Sequence, residues 1–197
     1  MTQQQLLALV AFAFVTSITP GPNNLMLMAS GANFGVRRTV PHMLGVALGF
    51  MLMAALVGAG LAQVFVAAPQ LYAVLKVASV AYLLVLAWKI ATAPPPGDAA
   101  RAGRPMTFLA AAAFQWVNPK AWAMALTAVS VYAPSQAIGG ILAVAAVFGA
   151  VNLPSVGAWA VLGQGMRRVL TSPARLRAFN VGMAVLLVAS LVPVLVH

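Results

Sequence analysis

Apolar residues fall along this chain in long blocks separated by short polar stretches, not at the spacing of a soluble amphipathic fold. Six blocks stand out, at about Gln4–Ser30, Pro41–Val66, Leu71–Ile90, Thr107–Tyr132, Ile138–Leu162 and Phe179–Val196. A helix needs about 20 apolar residues to cross a bilayer core of roughly 30 Å, and these blocks reach or approach that length. They are apolar on all sides and rich in Ala, Leu and Val, whereas barrel strands alternate apolar and polar over about ten residues. The pattern predicts an all-α integral membrane protein with six transmembrane helices. Composition agrees, since 63% of the 197 residues are hydrophobic and only 6% are charged. A soluble domain of this size could not hide that much apolar surface.

Three of the blocks are interrupted. The first contains Ser17-Ile18-Thr19-Pro20-Gly21-Pro22-Asn23-Asn24, the fourth Gln115-Trp116-Val117-Asn118-Pro119-Lys120, and the fifth Asn152-Leu153-Pro154-Ser155. Prolines remove backbone donors and free the carbonyls one turn earlier, and each unsatisfied group costs several kcal/mol in hydrocarbon. These segments therefore face protein or water. Interrupted membrane helices commonly carry the binding site at the break, where half-helix ends present backbone dipoles to a solute. The first break is read here as the centre of the site.

Between the blocks, Gly31-Ala32-Asn33-Phe34-Gly35 reads as a turn, as do Ala67-Ala68-Pro69-Gln70 and Ala133-Pro134-Ser135-Gln136, with a basic loop at Gln164 to Arg177. Thr92-Ala93-Pro94-Pro95-Pro96-Gly97-Asp98 has the composition of a stiff linker. It divides one domain, residues 1–197, into halves at about 1–92 and 107–197, with 93–106 between them. Each half has three spans, and the first span of each is broken at its middle. A three-span repeat must insert its second copy upside down, so two inverted repeats are expected. In the second span Gly45 and Gly49, then Gly58 and Ala62, are small residues four apart that let another helix approach closely. Packing within the chain is the expected use, and a homo-oligomer interface is the alternative.

The net charge of +10 does not mark a nucleic-acid protein, because the cations lie in the short connections. Arg37 and Arg38 fall in the first connection, Lys89, Arg101 and Arg104 around the third, and Arg167, Arg168, Arg175 and Arg177 in the fifth. Nine of the eleven cations thus share one side, which the positive-inside rule makes cytoplasmic, with both termini outside. Met1-Thr2-Gln3-Gln4-Gln5 lacks the basic start of a signal peptide, so no cleaved leader is expected. The absence of cysteine removes disulfides, thiolate metal sites and a thiol electron conduit.

The remaining cations are Lys76, about one turn inside the third span and able to snorkel, and Lys120, near the middle of the fourth. An ammonium at that depth costs at least ~2.5 kcal/mol and needs a partner. The only acidic residue, Asp98, lies in the linker, so a substrate carboxylate fits, with water and freed carbonyls as the alternative. Asn23, Asn24, Asn118 and Asn152 can donate and accept, either to the broken backbone or to a zwitterion. His42, at the start of the second span, is expected to be solvated there, with proton transfer as the alternative role. One acidic residue and two histidines provide neither a catalytic triad, nor a carboxylate pair, nor a metal site. The chain is not expected to be an enzyme or to bind a cofactor.

Taken together, Ser17 to Asn24, the sequence Gly35-Val36-Arg37-Arg38, Ala87-Trp88-Lys89-Ile90 and Phe114-Gln115-Trp116-Val117-Asn118-Pro119-Lys120 resemble the LysE/RhtB family of amino-acid exporters. The resemblance covers nearly the whole chain, and the flanking residues look most like the cysteine/O-acetylserine exporter branch. It implies a bacterial inner-membrane protein that exports amino acids or their derivatives, with protons as the coupling ion. On that reading the substrate site takes Thr19, Pro20, Gly21, Pro22, Asn23 and Asn24 from the first break. Asn118, Pro119 and Lys120 come from the second, and Asn152 from the third. The half-helix ends at Pro22 to Leu25 and Pro119 to Trp122, with Lys120, would hold the carboxylate; freed carbonyls and asparagine oxygens would take the ammonium. The rival reading is a membrane scaffold without transport activity, in which the breaks only permit close packing.

Overall fold

The structure is a computed structural model that describes residues 1–93, 103–133 and 137–192. The expected linker from Pro94 to Asp98, Arg101, the turn at Pro134-Ser135-Gln136 and the end of the sixth block lie outside the described residues. Those residues form nine α-helices: α1 Gln3–Ile18, α2 Pro22–Phe34, α3 Val36–Leu56, α4 Gln63–Ala67, α5 Gln70–Ala91, α6 Phe108–Phe114, α7 Pro119–Tyr132, α8 Ile138–Met166 and α9 Pro173–Ala189. Local chemistry sets the starts. Thr2 and Gln5 form a reciprocal capping box on α1, Thr107 and Ser172 cap α6 and α9, and prolines fill the first position of α2, α7 and α9.

By length and composition, α5, α8 and the α3 segment through Leu61 can each cross a membrane. The pair α1 and α2, bent by 56° at the intervening residues, makes a fourth if counted as one span. Many large apolar side chains point outward, Val74, Val77 and Trp88 on α5 and Val185 on α9 among them, as a bilayer solvent allows.

The helices assemble around α8, which packs against α1, α2 and α3, while α6 lies on α3 and α9 on α5. Backbone contact makes the α2–α8 crossing tight. A Cβ on Gly31 would strike the Ala160 carbonyl, and one on Gly163 would strike the Met28 carbonyl. Gly45 and Gly49 serve the same end between α3 and α6, facing Phe108 and Ala112, and Gly58 faces Ile141. These small residues are therefore used inside the chain. The apolar core around them includes Leu9, Phe50, Trp122 and Phe148 on one side of the bundle and Leu25, Leu83, Phe114 and Leu187 on the other.

Several expectations need correction. Pro154 does not break its helix, because α8 runs on through Asn152-Leu153-Pro154-Ser155 and the Ser155 hydroxyl donates to the Val151 carbonyl at 2.7 Å. That hydroxyl bonds the carbonyl next to the one, Ala150 O, that Pro154 leaves without an N–H. Gly31 is no turn residue but sits inside α2; the reversal is confined to Gly35, whose φ of 81° suits glycine. The second block is less regular than its composition implies. After Leu56 the chain widens into a π-turn over Val57–Leu61, and Gly60 takes a φ of 108°. Nothing in an uninterrupted apolar run marks that bend except its glycines. The basic loop is shorter than expected, since α8 reaches Met166 and α9 starts at Pro173.

Candidate functional site

At the first break the backbone leaves the helix after Ile18 and re-enters it at Pro22. Four side chains, from α2, α7, α8 and the break itself, close over the freed carbonyls. Asn24 Nδ2 donates to both Ser17 O and Thr19 O at 2.8 Å, and Trp159 Nε1 on α8 donates to Ile18 O at 3.0 Å. Thr19 Oγ1 donates to Thr16 O at 3.1 Å. Lys120, from the first turn of α7, reaches across with its ammonium 2.7 Å from Thr19 O, 3.0 Å from Thr19 Oγ1 and 3.3 Å from Pro20 O. The lysine stem lies against Gly21, where a Cβ would come within 2.8 Å of its Cδ, so glycine there leaves room for the crossing.

The second break is smaller. A short 3₁₀ turn, Gln115–Val117, precedes Asn118, whose Oδ1 accepts from Lys120 N at 3.2 Å and caps α7. The freed Trp116 carbonyl accepts from Trp122 Nε1 at 2.9 Å. Gln115 is fully buried and pairs reciprocally with Asn23, Asn23 Nδ2 donating to Gln115 Oε1 at 2.8 Å and Gln115 Nε2 to Asn23 Oδ1 at 3.3 Å. This amide pair ties the two breaks together across 92 positions of sequence.

Between the breaks lies a cavity of about 20 Å³, lined by Thr16, Ser17, Asn24, Asn118, Lys120 and Asn152 among others. That is room for about one water molecule. Asn152 Nδ2 donates to Ser17 Oγ at 3.3 Å, but its Oδ1 is buried with no partner. A buried acceptor left so costs roughly 1–3 kcal/mol. Of the expected site residues, then, Thr19, Gly21, Asn23, Asn24, Asn118, Lys120 and Asn152 converge here. Thr19 and Pro20 are exposed, while Pro22 and Pro119 start the two half-helices without side-chain hydrogen bonds. α2 begins with no side-chain cap at Gly21, so its positive end stays open beside Lys120.

Two residues lie elsewhere. Lys76 is half-buried on α5, away from this cavity. His42 is not solvated: it is 2% exposed inside α3, and neither ring nitrogen has a partner. Gln115 and Trp159 were absent from the expected site, and Ser17 stood at the head of the first break without being assigned to the substrate. Gln115 carried a signal, as a buried amide in the same polar hexad as Lys120, whereas nothing in the apolar run around Trp159 pointed to it.

A helical bundle with an apolar exterior, whose polar side chains gather at interrupted helices, has the construction in which membrane transporters place their solute sites. The chain belongs to the LysE type translocator family, which it matches over residues 14–194. It is 31% identical over 190 residues to the cysteine/O-acetylserine efflux proteins of Escherichia coli (strain K12) and Shigella sonnei (strain Ss046). Each alignment covers 95% of this chain and 96% of the relative. A protein of the same name from Escherichia coli O139:H28 is 30% identical over the same span. No solved structure matches the chain. Family and apolar helices together make it a multi-pass inner-membrane transporter.

Proposed function

We propose that the protein exports small amino acids or their derivatives, cysteine and O-acetylserine being the first candidates, by alternating access driven by protons. One observation carries the reading. A single cavity is lined by an ammonium with no carboxylate near it among the described residues, Lys120, and by a buried acceptor with no donor, the Asn152 Oδ1. A zwitterion supplies both missing partners, its carboxylate for Lys120 and the open end of α2, its ammonium for Asn152. Thr19, Pro20, Gly21 and Pro22 shape that end, while Asn23, Asn24, Asn118 and Pro119 hold the half-helices in place.

At about 20 Å³ the cavity cannot accept an amino acid until the half-helices separate. Lys120 acts as the latch in this scheme. Its three neutral acceptors satisfy its hydrogen bonds but leave its charge uncompensated, so an arriving carboxylate competes for it and frees Thr19 and Pro20 to move. In the full arrangement we infer six crossings in two inverted halves, about 1–92 and 107–197, with α1–α2 and α6–α7 as the broken spans and both termini periplasmic. The spans hold no carboxylate, so coupling protons would pass through Lys120, Lys76, His42 or water. Everted vesicles carrying the protein should accumulate labelled O-acetylserine when acidified inside, and control vesicles should not. Equal accumulation in both would favour the scaffold reading instead.

A further inference from the structure

A second and much larger cavity, about 540 Å³, lies between α2, α3, α5 and the segment 103–110. It opens at the end of the bundle that carries Arg104 and Lys89. Its volume falls within the range of roughly 300–1,000 Å³ typical of small-molecule sites. We propose that this cavity is a loading site, where the exporter first captures a small amino acid with an uncharged or acidic side chain, discriminating against basic ones. The proposal rests on the export reading above, to which it adds a second station and a charge preference.

Three features support it. His42 lines the cavity and is almost wholly buried, and its two ring nitrogens, closed off from solvent, have no partner among the described residues. A buried polar group left that way calls for a partner, which an occupant of the cavity supplies once the His42 ring turns toward it. Lys89 and Arg104, also in the lining, are exposed, and neither has a hydrogen bond or ion pair among the described residues. Among the described residues no carboxylate lines the cavity. These two cations attract a carboxylate and repel a second ammonium. Met26, Leu86 and Met106 supply apolar wall for an uncharged side chain.

The third feature is position. Met26 lies one turn along α2 from Asn23, and Ala110 lies on α6 just before Gln115. Asn23 lines the small cavity at the breaks and is paired with Gln115, so the amide pair joins the elements that carry the two cavities. The two cavities are successive stations, and that pair is the partition to be parted.

Because the chain has no cysteine, Ala110→Cys puts a single thiol in the lining of the larger cavity. In everted vesicles O-acetylserine should slow alkylation of this thiol by N-ethylmaleimide saturably, about fourfold at three times the midpoint concentration by mass action. Lysine at the same concentration should leave the rate unchanged. In an Ala110→Cys background, Lys120→Met should keep the protection while losing efflux, and His42→Phe should lose the protection. Arg104→Gln, at the exposed rim where folding is not at stake, should shift the midpoint upward severalfold. Efflux of O-acetylserine without protection at Ala110→Cys overturns the loading site and leaves export standing. Protection without efflux upholds the site and counts against export. Equal protection by lysine overturns the charge preference.

Discussion

Lys120 can be singled out from the sequence because charge in mid-span is costly and no carboxylate is available to offset it. What it touches cannot be read there, since Thr19 and Pro20 lie about a hundred positions away. Its ammonium makes three contacts to neutral oxygens, so a structural strut and a substrate latch predict different consequences for the same change. As a latch, Lys120→Met removes a charge-assisted contact worth roughly 1.5–3 kcal/mol, a tenfold to hundredfold loss of O-acetylserine affinity at the breaks, seen by calorimetry as loss of one binding phase beside that of the larger cavity. Lys120→Arg, which keeps the charge but not the slender shape that passes Gly21, should fall between. If Lys120→Met binds and transports like the parent protein, the lysine only braces the break. His42 shows the opposite case. Its place near the start of a span pointed to water, and only the packing of its neighbours reveals that it is enclosed and unpaired.

At the scale of the element, proline chooses where the first helix breaks and tertiary contacts decide that it stays broken. Pro22 stands at the first position of α2, where it fits without strain, and Gly21 is extended. The bend of 56° is held by donors from other places, Asn24 on α2 itself, Trp159 on α8 and Lys120 on α7. Asn24→Leu keeps most of the volume but leaves Ser17 O with no donor and Thr19 O with Lys120 alone. It should lower unfolding stability by roughly 1–3 kcal/mol, read as a lower melting temperature in detergent, and reduce efflux as well. Unchanged melting and efflux would show that the break holds without the amide. Pro154 marks the limit of reading breaks from proline alone. The same residue type that ends α1 is absorbed inside α8, which runs unbroken past Pro154 from Ile138 to Met166.

For the whole molecule, the strongest untested inference is orientation. Single cysteines at Gln70 and at Ser172, on opposite sides by the charge count, meet no background thiol. A membrane-impermeant maleimide should label Gln70→Cys from outside intact cells and Ser172→Cys only after permeabilisation. Labelling in the reverse sense would invert the assignment, and labelling of both from outside would refute the placement of the connections. The sequence by itself determined the solvent, the helical class and the family. Those depend on blocks of composition, on where charge is tolerated, and on a short motif, all of which are local along the chain. It also pointed to both breaks and to Lys120, because local rules are violated there. The tertiary structure alone decided which carbonyl each donor satisfies, which glycines carry helix contact and not turns, and that Pro154 is harmless. It alone showed that the polar centre is nearly closed while a larger cavity opens beside His42. Those outcomes are set by contacts between residues tens to more than a hundred positions apart, whose distances no pattern along a single chain records.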